Sequence, residues 1–375
     1  MGQNNLKAAV LLRPENIYYV SGIWGQPDPG KARLFAVVIT EEKECLVLPL
    51  LETWRRGSTW IKDFRIYEEY SKDEGSGKLM DPVKALAKAL EELGLQEARI
   101  GLEEDFVSIK LHRQVSTILK DARFDDVSPL LSSLRIVKSP EEIAMARKAA
   151  QRADRGMASA MDAFGSGLSE REVDIEVRKT MMKEEGYWTV APHIPGSPGI
   201  AIGEHTTFPH WRASETKSKE GDIVKADLCA VSYHCGYFVG MGRCAVIGKA
   251  SSQVRKIYDT VLRASEAVKK LIKPGVKAST LDRTAHIVIE EAGLGQYYAR
   301  GTGRGVGLTF YERPLLRIYD ETALEPGMIF SVEPAVCIPG IGGPYVEDTI
   351  VVTGDGYESL TTYSRELREL RGGRQ

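Results

Sequence analysis

The stretches Phe330-Ser331-Val332-Glu333-Pro334 and Gly342-Gly343-Pro344-Tyr345-Val346-Glu347-Asp348 decide how this chain is read. Each sets a carboxylate in a strand-rich segment, over residues 328–337 and 345–353. A third carboxylate, Asp227, closes the run Gly221-Asp222-Ile223-Val224-Lys225-Ala226-Asp227 inside the strand-rich segment 222–247. Two more such segments cover 200–210 and 302–310. Helices are legible around them. Ser139 precedes Pro140 and Glu142, which gives an N-cap, a proline in the first helical position and a capping-box glutamate. Ile143, Ala146, Ala150, Ala153, Met157 and Met161 continue at helical spacing toward Gly165, and Ser169 with Glu172 opens a second helix. A third runs from about Ser252 to Ile272, with Ile257, Val261, Ala264, Val268 and Leu271 on one face, and stops at Lys273-Pro274-Gly275. A fourth spans about Ser279 to Ala292. Runs of helices and runs of strands, without strict βαβ alternation, predict an α+β domain over 137–375.

Upstream, residues 1–136 read as a smaller α/β domain. Ala8-Ala9-Val10-Leu11-Leu12 and Leu34-Phe35-Ala36-Val37-Val38-Ile39-Thr40 are β-type runs, split by the loop Gly25-Gln26-Pro27-Asp28-Pro29-Gly30. Pro82 to Leu93 has helical spacing stopped by Gly94, and a strand over Ala98 to Leu102 precedes a helix around Ile109 to Leu119. At 375 residues two domains are expected, each able to bury a core. Apolar content of 43%, charged content of 27% and net charge −2 describe a soluble protein with no basic surplus for nucleic acid or anionic membrane. No apolar run approaches the roughly 20 residues that span a bilayer. The start Met1-Gly2-Gln3-Asn4-Asn5-Leu6 lacks the charged and apolar parts of a signal peptide. Five scattered cysteines do not form a disulfide framework. A cytoplasmic location is the expectation.

The three carboxylate segments together resemble the creatinase/prolidase family, whose pita-bread domain follows a smaller α/β domain, and the resemblance covers the whole chain. Arg135-Ile136-Val137-Lys138-Ser139-Pro140-Glu141-Glu142 matches the segment that opens that domain. Peptidase members hold two metals with two aspartates, a histidine and two glutamates. Asp227, Glu333 and Glu347 match three of the five. The second aspartate's segment reads Gly236-Tyr237-Phe238-Val239-Gly240-Met241-Gly242-Arg243, with Gly240 in its place and a hairpin two residues longer, as in creatinase. The metal histidine's segment reads Gly303-Arg304-Gly305-Val306-Gly307-Leu308, with Arg304 in its place. The histidine of the following motif is Tyr311 in Tyr311-Glu312-Arg313-Pro314, while Pro209-His210 keeps the upstream histidine.

Glycine offers no side chain, and arginine carries a permanent charge and no lone pair. A two-metal centre, with ions roughly 3.5–4 Å apart on shared ligands, is therefore not expected. Three close carboxylates disfavour one another's ionisation unless a cation compensates, and Arg304 supplies that cation. The expectation is no metal and no other cofactor, or at most one divalent ion on Asp227, Glu333 and Glu347. By resemblance to creatinase, which works without metal, His210 is the general acid/base and Glu347 orients water or a cationic nitrogen. Arg304 and Tyr311 would stabilise negative charge, and Asp227, Glu333 and Arg33 would contact substrate. Arg33 matches a place from which creatinase reaches a neighbouring subunit's substrate, which implies a homodimer. The first expectation is a metal-independent hydrolase of a C–N bond in a small amino-acid-like or guanidino molecule. A Xaa-Pro dipeptidase with a single metal, and a non-catalytic protein that binds a peptide or small molecule, are the alternatives. In the last, Glu333 and Glu347 are structural. His193, His205 and His234 have no motif support and read as structural or surface residues, and Cys229 with Cys244 reads as buried thiols before it reads as a soft-metal site.

Overall fold

The computed structural model describes residues 5–24, 33–68, 81–183, 187–188, 199–232, 236–298 and 301–372. The loop 25–30, His193 and His234 lie outside them. The chain divides into two compact units, Met1–Leu134 and Arg135–Gln375.

The first unit is built on a sheet of β1 (Ala8–Leu11), β2 (Ala36–Thr40), β3 (Glu44–Pro49), β4 (Phe64–Tyr67), β5 (Arg99–Leu102) and β6 (Arg123–Asp126), in the order β4-β3-β2-β1-β5-β6. β1 runs antiparallel to β2 and parallel to β5. Helices α1 (Pro14–Ser21), α2 (Pro82–Glu92), α3 (Ile109–Ile118) and α4 (Ser128–Ile136) complete it, the last running two residues past the division. Alternation along β1 sends Ala8 and Val10 into one apolar cluster and Ala9 and Leu11 into another, so the sheet is covered on both faces. The sequence pattern shows three of these strands, β1, β2 and β5. β4 and β6 are half-exposed edges, and their composition does not announce them.

The second unit opens with α5 (Pro140–Gly165) and α6 (Glu170–Met182), both started by the capping boxes read in the sequence. Ser139 and Glu142 exchange bonds of 2.7 and 3.3 Å, as do Ser169 and Glu172 at 2.8 and 3.3 Å. One sheet holds β7 (Tyr187–Trp188), β8 (Gly199–Ile202), β9 (Ile223–Ser232), β10 (Phe238–Ile247) and a strand near the end of the chain, β16 (Arg368–Leu370). α7 (Ser252–Leu271) and α8 (Ala278–Glu291) follow β10. A second sheet has the order β12-β11-β13-β14-β15, from β11 (Gly303–Gly305), β12 (Glu312–Leu316), β13 (Ile329–Val332), β14 (Asp348–Val352) and β15 (Tyr357–Ser359). The inner face of α7 buries Ile257, Val261, Ala264 and Val268 as expected, but Leu271 at its last turn is exposed. β12, which carries Pro314, lies beyond the strand-rich segment 302–310 read in the sequence. It is an edge strand, where a missing N–H leaves no ladder bond unmade. Among the described residues no helix is long and apolar enough to cross a membrane.

Candidate functional site

Registers in the second unit bring the distant motif residues together. β9 and β10 form the expected antiparallel hairpin, with Asp227 opposite Gly242 and Cys229 opposite Gly240. Directly paired residues share a face, so Asp227, Gly240 and Gly242 look the same way. Cys244 pairs with Lys225, four ladder positions from Cys229, roughly 13 Å at strand spacing, so the backbone register does not bring these two positions together. In the second sheet Arg304 pairs with Ser331 and Val332 with Asp348, which sets Glu333 beside Glu347 at the strand ends. A bridge between Gly242 and Glu347, with N–H···O bonds of 3.2 and 3.0 Å, joins the two sheets.

Arg304 lies between the two glutamates and is 1% exposed. Its Nη1 donates to Glu333 Oε1, its Nη2 to Glu347 Oε1 at 3.4 Å, and its Nε to the Phe310 carbonyl at 3.0 Å. The guanidinium also stacks 3.7 Å from the Phe310 ring centroid and 4.7 Å from that of Tyr311. Tyr345 completes the cluster, its hydroxyl donating to Glu347 Oε2 at 2.5 Å and lying 3.4 Å from Glu333 Oε2. Glu347 is fully buried; burial above all, with Asp227 and Glu333 beside it, pushes its carboxyl up to about 8 against the opposing pull of Arg304 and the Tyr345 hydroxyl. The 3.4 Å contact to Arg304 would by itself favour an ionised Glu347. We assign the proton to Glu347, because its two carboxylate neighbours repel a further negative charge and the guanidinium lies closer to Glu333.

The two glycines are seats for this cluster. A Cβ on Gly240 would stand 2.0 Å from Glu347 Oε1 and 2.9 Å from Ser331 Oγ, and one on Gly242 would stand 1.9 Å from Tyr345 Cε1. The space left by the missing side chains is therefore filled by the protein itself.

Of the other expected site residues, Asp227 is half-buried on β9, and Tyr311 is 56% exposed. His210 is exposed on the loop after β8. Arg33 belongs to the first unit, just before β2.

Sequence reading overlooked three groups. Asp348, beside Glu347, is buried and accepts from Arg243 Nη2 at 2.6 Å, Lys269 Nζ at 2.5 Å and Arg365 Nε at 2.5 Å. These cations outweigh burial and hold its carboxyl far below the usual range. Arg243 Nη1 also donates to the Glu347 carbonyl at 2.6 Å, so this clamp fixes the backbone that carries Glu347. Lys269 follows Val268 on the buried side of α7, and a lysine there was the available signal. Glu312 is buried, and Lys138 and Arg135 keep it ionised against that burial, its bond to Lys138 Nζ being 2.9 Å. Motifs far apart in sequence are thus tied by charge. Glu170 organises the loop of His210.

Comparison with known proteins adds the following. Residues 144–354 match the model of metallopeptidase family M24, and residues 1–137 match the creatinase/prolidase N-terminal domain. A Xaa-Pro dipeptidase of Pyrococcus furiosus is 31% identical over 98% of this chain and 97% of its own length. The crystal structure of the prolidase of Pyrococcus horikoshii superposes with TM-score 0.81 at 29% identity, covering 98% of this chain and 97% of that one. A Xaa-Pro dipeptidase of Bacillus anthracis gives TM-score 0.85 at 28% identity, over 98% and 96%. The α+β unit behind a smaller α/β unit is thus the architecture of the prolidases.

A metallopeptidase centre implies divalent ions, and the side chains here do not fit a two-metal centre. Arg304 sets a fixed cation against both glutamates, and a carboxylate at 240 would collide with Glu347. A single ion on Asp227, Glu333 and Glu347 would have to displace the guanidinium. Among the described residues no group of three or more His, Cys, Asp or Glu is arranged to hold a metal.

Proposed function

The chain belongs to metallopeptidase family M24, a family of hydrolases, with a creatinase/prolidase N-terminal domain, and from that premise we propose that it hydrolyses the C–N bond of a small Xaa-Pro dipeptide. The end-to-end likeness to Xaa-Pro dipeptidases carries this reading. It corrects the first expectation from the sequence. Those relatives back the dipeptide alternative over a guanidino substrate, and they lend no support to metal independence.

In this reading the exposed His210 is the proton-transfer residue, and the exposed phenol of Tyr311 faces developing negative charge. The three nitrogens of Arg304 are spent on protein acceptors, so its part is to fix the charge of the cluster. Protonated Glu347 is a buried neutral acid beside it, and Asp227 and Glu333 supply the negative charge. A homodimer in which Arg33 completes a neighbouring site belongs to the same proposal.

A second reading is binding without catalysis. It is favoured by the pairing of Arg304 with Glu333 and Glu347 and by the burial of Glu347, both of which turn the cluster inward on itself. The experiment that separates the readings measures proline release from Xaa-Pro dipeptides by purified protein, with and without manganese, cobalt or zinc, beside calorimetric binding of the same dipeptides. Release that requires one equivalent of metal supports the single-metal dipeptidase. Release in the presence of chelator restores metal independence. Binding without release supports the second reading, and neither binding nor release overturns both.

A further inference from the structure

Lys225 interrupts the apolar run Ile223-Val224-Lys225-Ala226 on β9 and is buried, at 4% exposed. An ammonium taken out of water needs acceptors in its place. Its Nζ donates to the carbonyls of Thr206 at 3.0 Å and Phe208 at 2.8 Å, both on the loop that leaves β8. Lys225 stands two residues before Asp227 and shares its face of the strand. Thr206 is held from a second carboxylate segment as well. It is fully buried, and its Oγ1 accepts from Gly343 N at 2.9 Å while donating to the Gly203 carbonyl at 2.6 Å. A Cβ on Gly343 would stand 2.1 Å from the Thr206 carbonyl oxygen, so only glycine lets the two chain segments approach this closely. The loop is therefore bonded to β9 beside Asp227 and to the motif that carries Glu347.

A second anchor holds the far side of the loop. Glu170, the first residue of α6, is fully buried and accepts from Ile202 N at 2.8 Å, Ser214 N at 2.8 Å, Ser214 Oγ at 2.6 Å and Trp211 Nε1 at 2.9 Å. Burial works against its charge, yet the bonds from Ser214, Trp211 and His205 hold its carboxyl below the usual glutamate range. His210 lies between the two anchors. Two residues before it the Phe208 carbonyl is tied to a buried cation, and directly after it the Trp211 indole is tied to a buried carboxylate. The His210 side chain itself is exposed, so its own packing does not account for this restraint.

We propose that Lys225 is a positioning residue for His210, with Glu170 as its counterpart, the two holding that stretch of backbone in fixed register with the segments carrying Asp227 and Glu347. The proposal rests on the reading above in which His210 transfers the proton, and it names the side chains that keep this histidine in place. A general acid or base acts only within hydrogen-bond reach of the proton it moves. A residue on an exposed loop meets that condition when its backbone is fixed in advance, and a misplacement of about 1 Å is enough to cost a large part of the rate.

The test labels histidine isotopically and assigns the His210 resonance by its loss in His210→Asn. In Lys225→Met, which keeps an apolar stem and removes the ammonium, that resonance is expected to shift or broaden while the resonance of His286, on α8, stays in place. The same variant is expected to lower kcat for Ala-Pro about 10- to 100-fold with KM near the wild-type value, since a displaced histidine costs only in the transition state. Thr206→Val, which removes the bond to Gly343 N, is expected to do the same to a smaller extent, and it carries the test if Lys225→Met does not fold. An unmoved His210 resonance in Lys225→Met, or in Thr206→Val if only that variant folds, overturns the anchors whatever the activity. A moved resonance with undiminished kcat overturns the positioning role and leaves the dipeptidase reading standing. Absence of hydrolysis by the wild type overturns that reading and the proton-transfer role with it, and the resonance alone then decides whether the anchors hold.

Discussion

Arg304→Met removes the cation from the acid cluster while keeping much of the side chain's length. Arg304 is 1% exposed, and its contacts to Glu333, Glu347 and the Phe310 carbonyl all disappear in the variant. Breaking a buried pair by deleting one partner costs about 3–5 kcal/mol, because the remaining charge is left uncompensated. In a unit spanning 135–375, about 2–4 °C is lost per kcal/mol, so the midpoint should fall by roughly 6–20 °C near pH 8. The loss depends on pH with a definite sign. In the variant Glu347 loses the charge that lowered its proton affinity, so its folded-state value rises further above the unfolded one. A carboxyl raised in the folded state contributes stability that is complete below its unfolded value and is lost as pH rises through its folded value. The difference between wild type and variant should therefore be largest above pH 8 and shrink toward pH 5. The assay is urea denaturation at pH 5, 6.5 and 8, with Glu333→Gln and the double variant completing a cycle. A difference below about 1 kcal/mol at pH 8, or one that is the same at pH 5, would refute the account of Arg304 as the cluster's counter-charge.

Gly240→Ala should destabilise by about 1–3 kcal/mol through overpacking against Glu347 Oε1, and Gly240→Asp should gain no metal by calorimetric titration while Arg304 is present; wild-type stability in either would show that Glu347 does not occupy that seat. Asp348→Asn strands three cations and should cost about 3–5 kcal/mol at pH 7, measured by urea denaturation. Since the Asp348 carboxyl is depressed, the stability it gives is present above the ordinary aspartate value and is lost as pH falls through the depressed one, so the variant should show a shallower acid transition than wild type. Infrared difference spectra should show a carboxylic-acid band that titrates near pH 8 and is absent in Glu347→Gln; a Glu347 already ionised at pH 6 would remove the neutral-acid assignment. If Xaa-Pro hydrolysis is observed, His210→Asn should lower its rate about 100- to 10,000-fold without changing the melting curve.

The sequence by itself determined the four long helices of the second unit and pointed to Arg304, Glu333 and Glu347, though not to Tyr345 beside them. Capping boxes at Ser139 and Ser169 are local chemistry between residues three apart, and they appear as read. Asp227, Arg304, Glu333 and Glu347 were legible because each sits at a motif position. What filled the places of the missing ligands was not legible. That Glu347 occupies the seat at Gly240, and Tyr345 the one at Gly242, depends on a bridge between two sheets whose partners lie over a hundred residues apart in the chain. The Asp348 clamp and the Glu312 pair escaped notice for the same reason: a lone charge in an apolar run shows that a partner is needed, while its identity is set by packing. His205, read as a structural or surface residue, is bonded to Glu170 and stacked on Trp211. Periodicity and capping act over a few residues and are written in the sequence. Charge compensation and ring stacking act through space, so only the tertiary structure decided them.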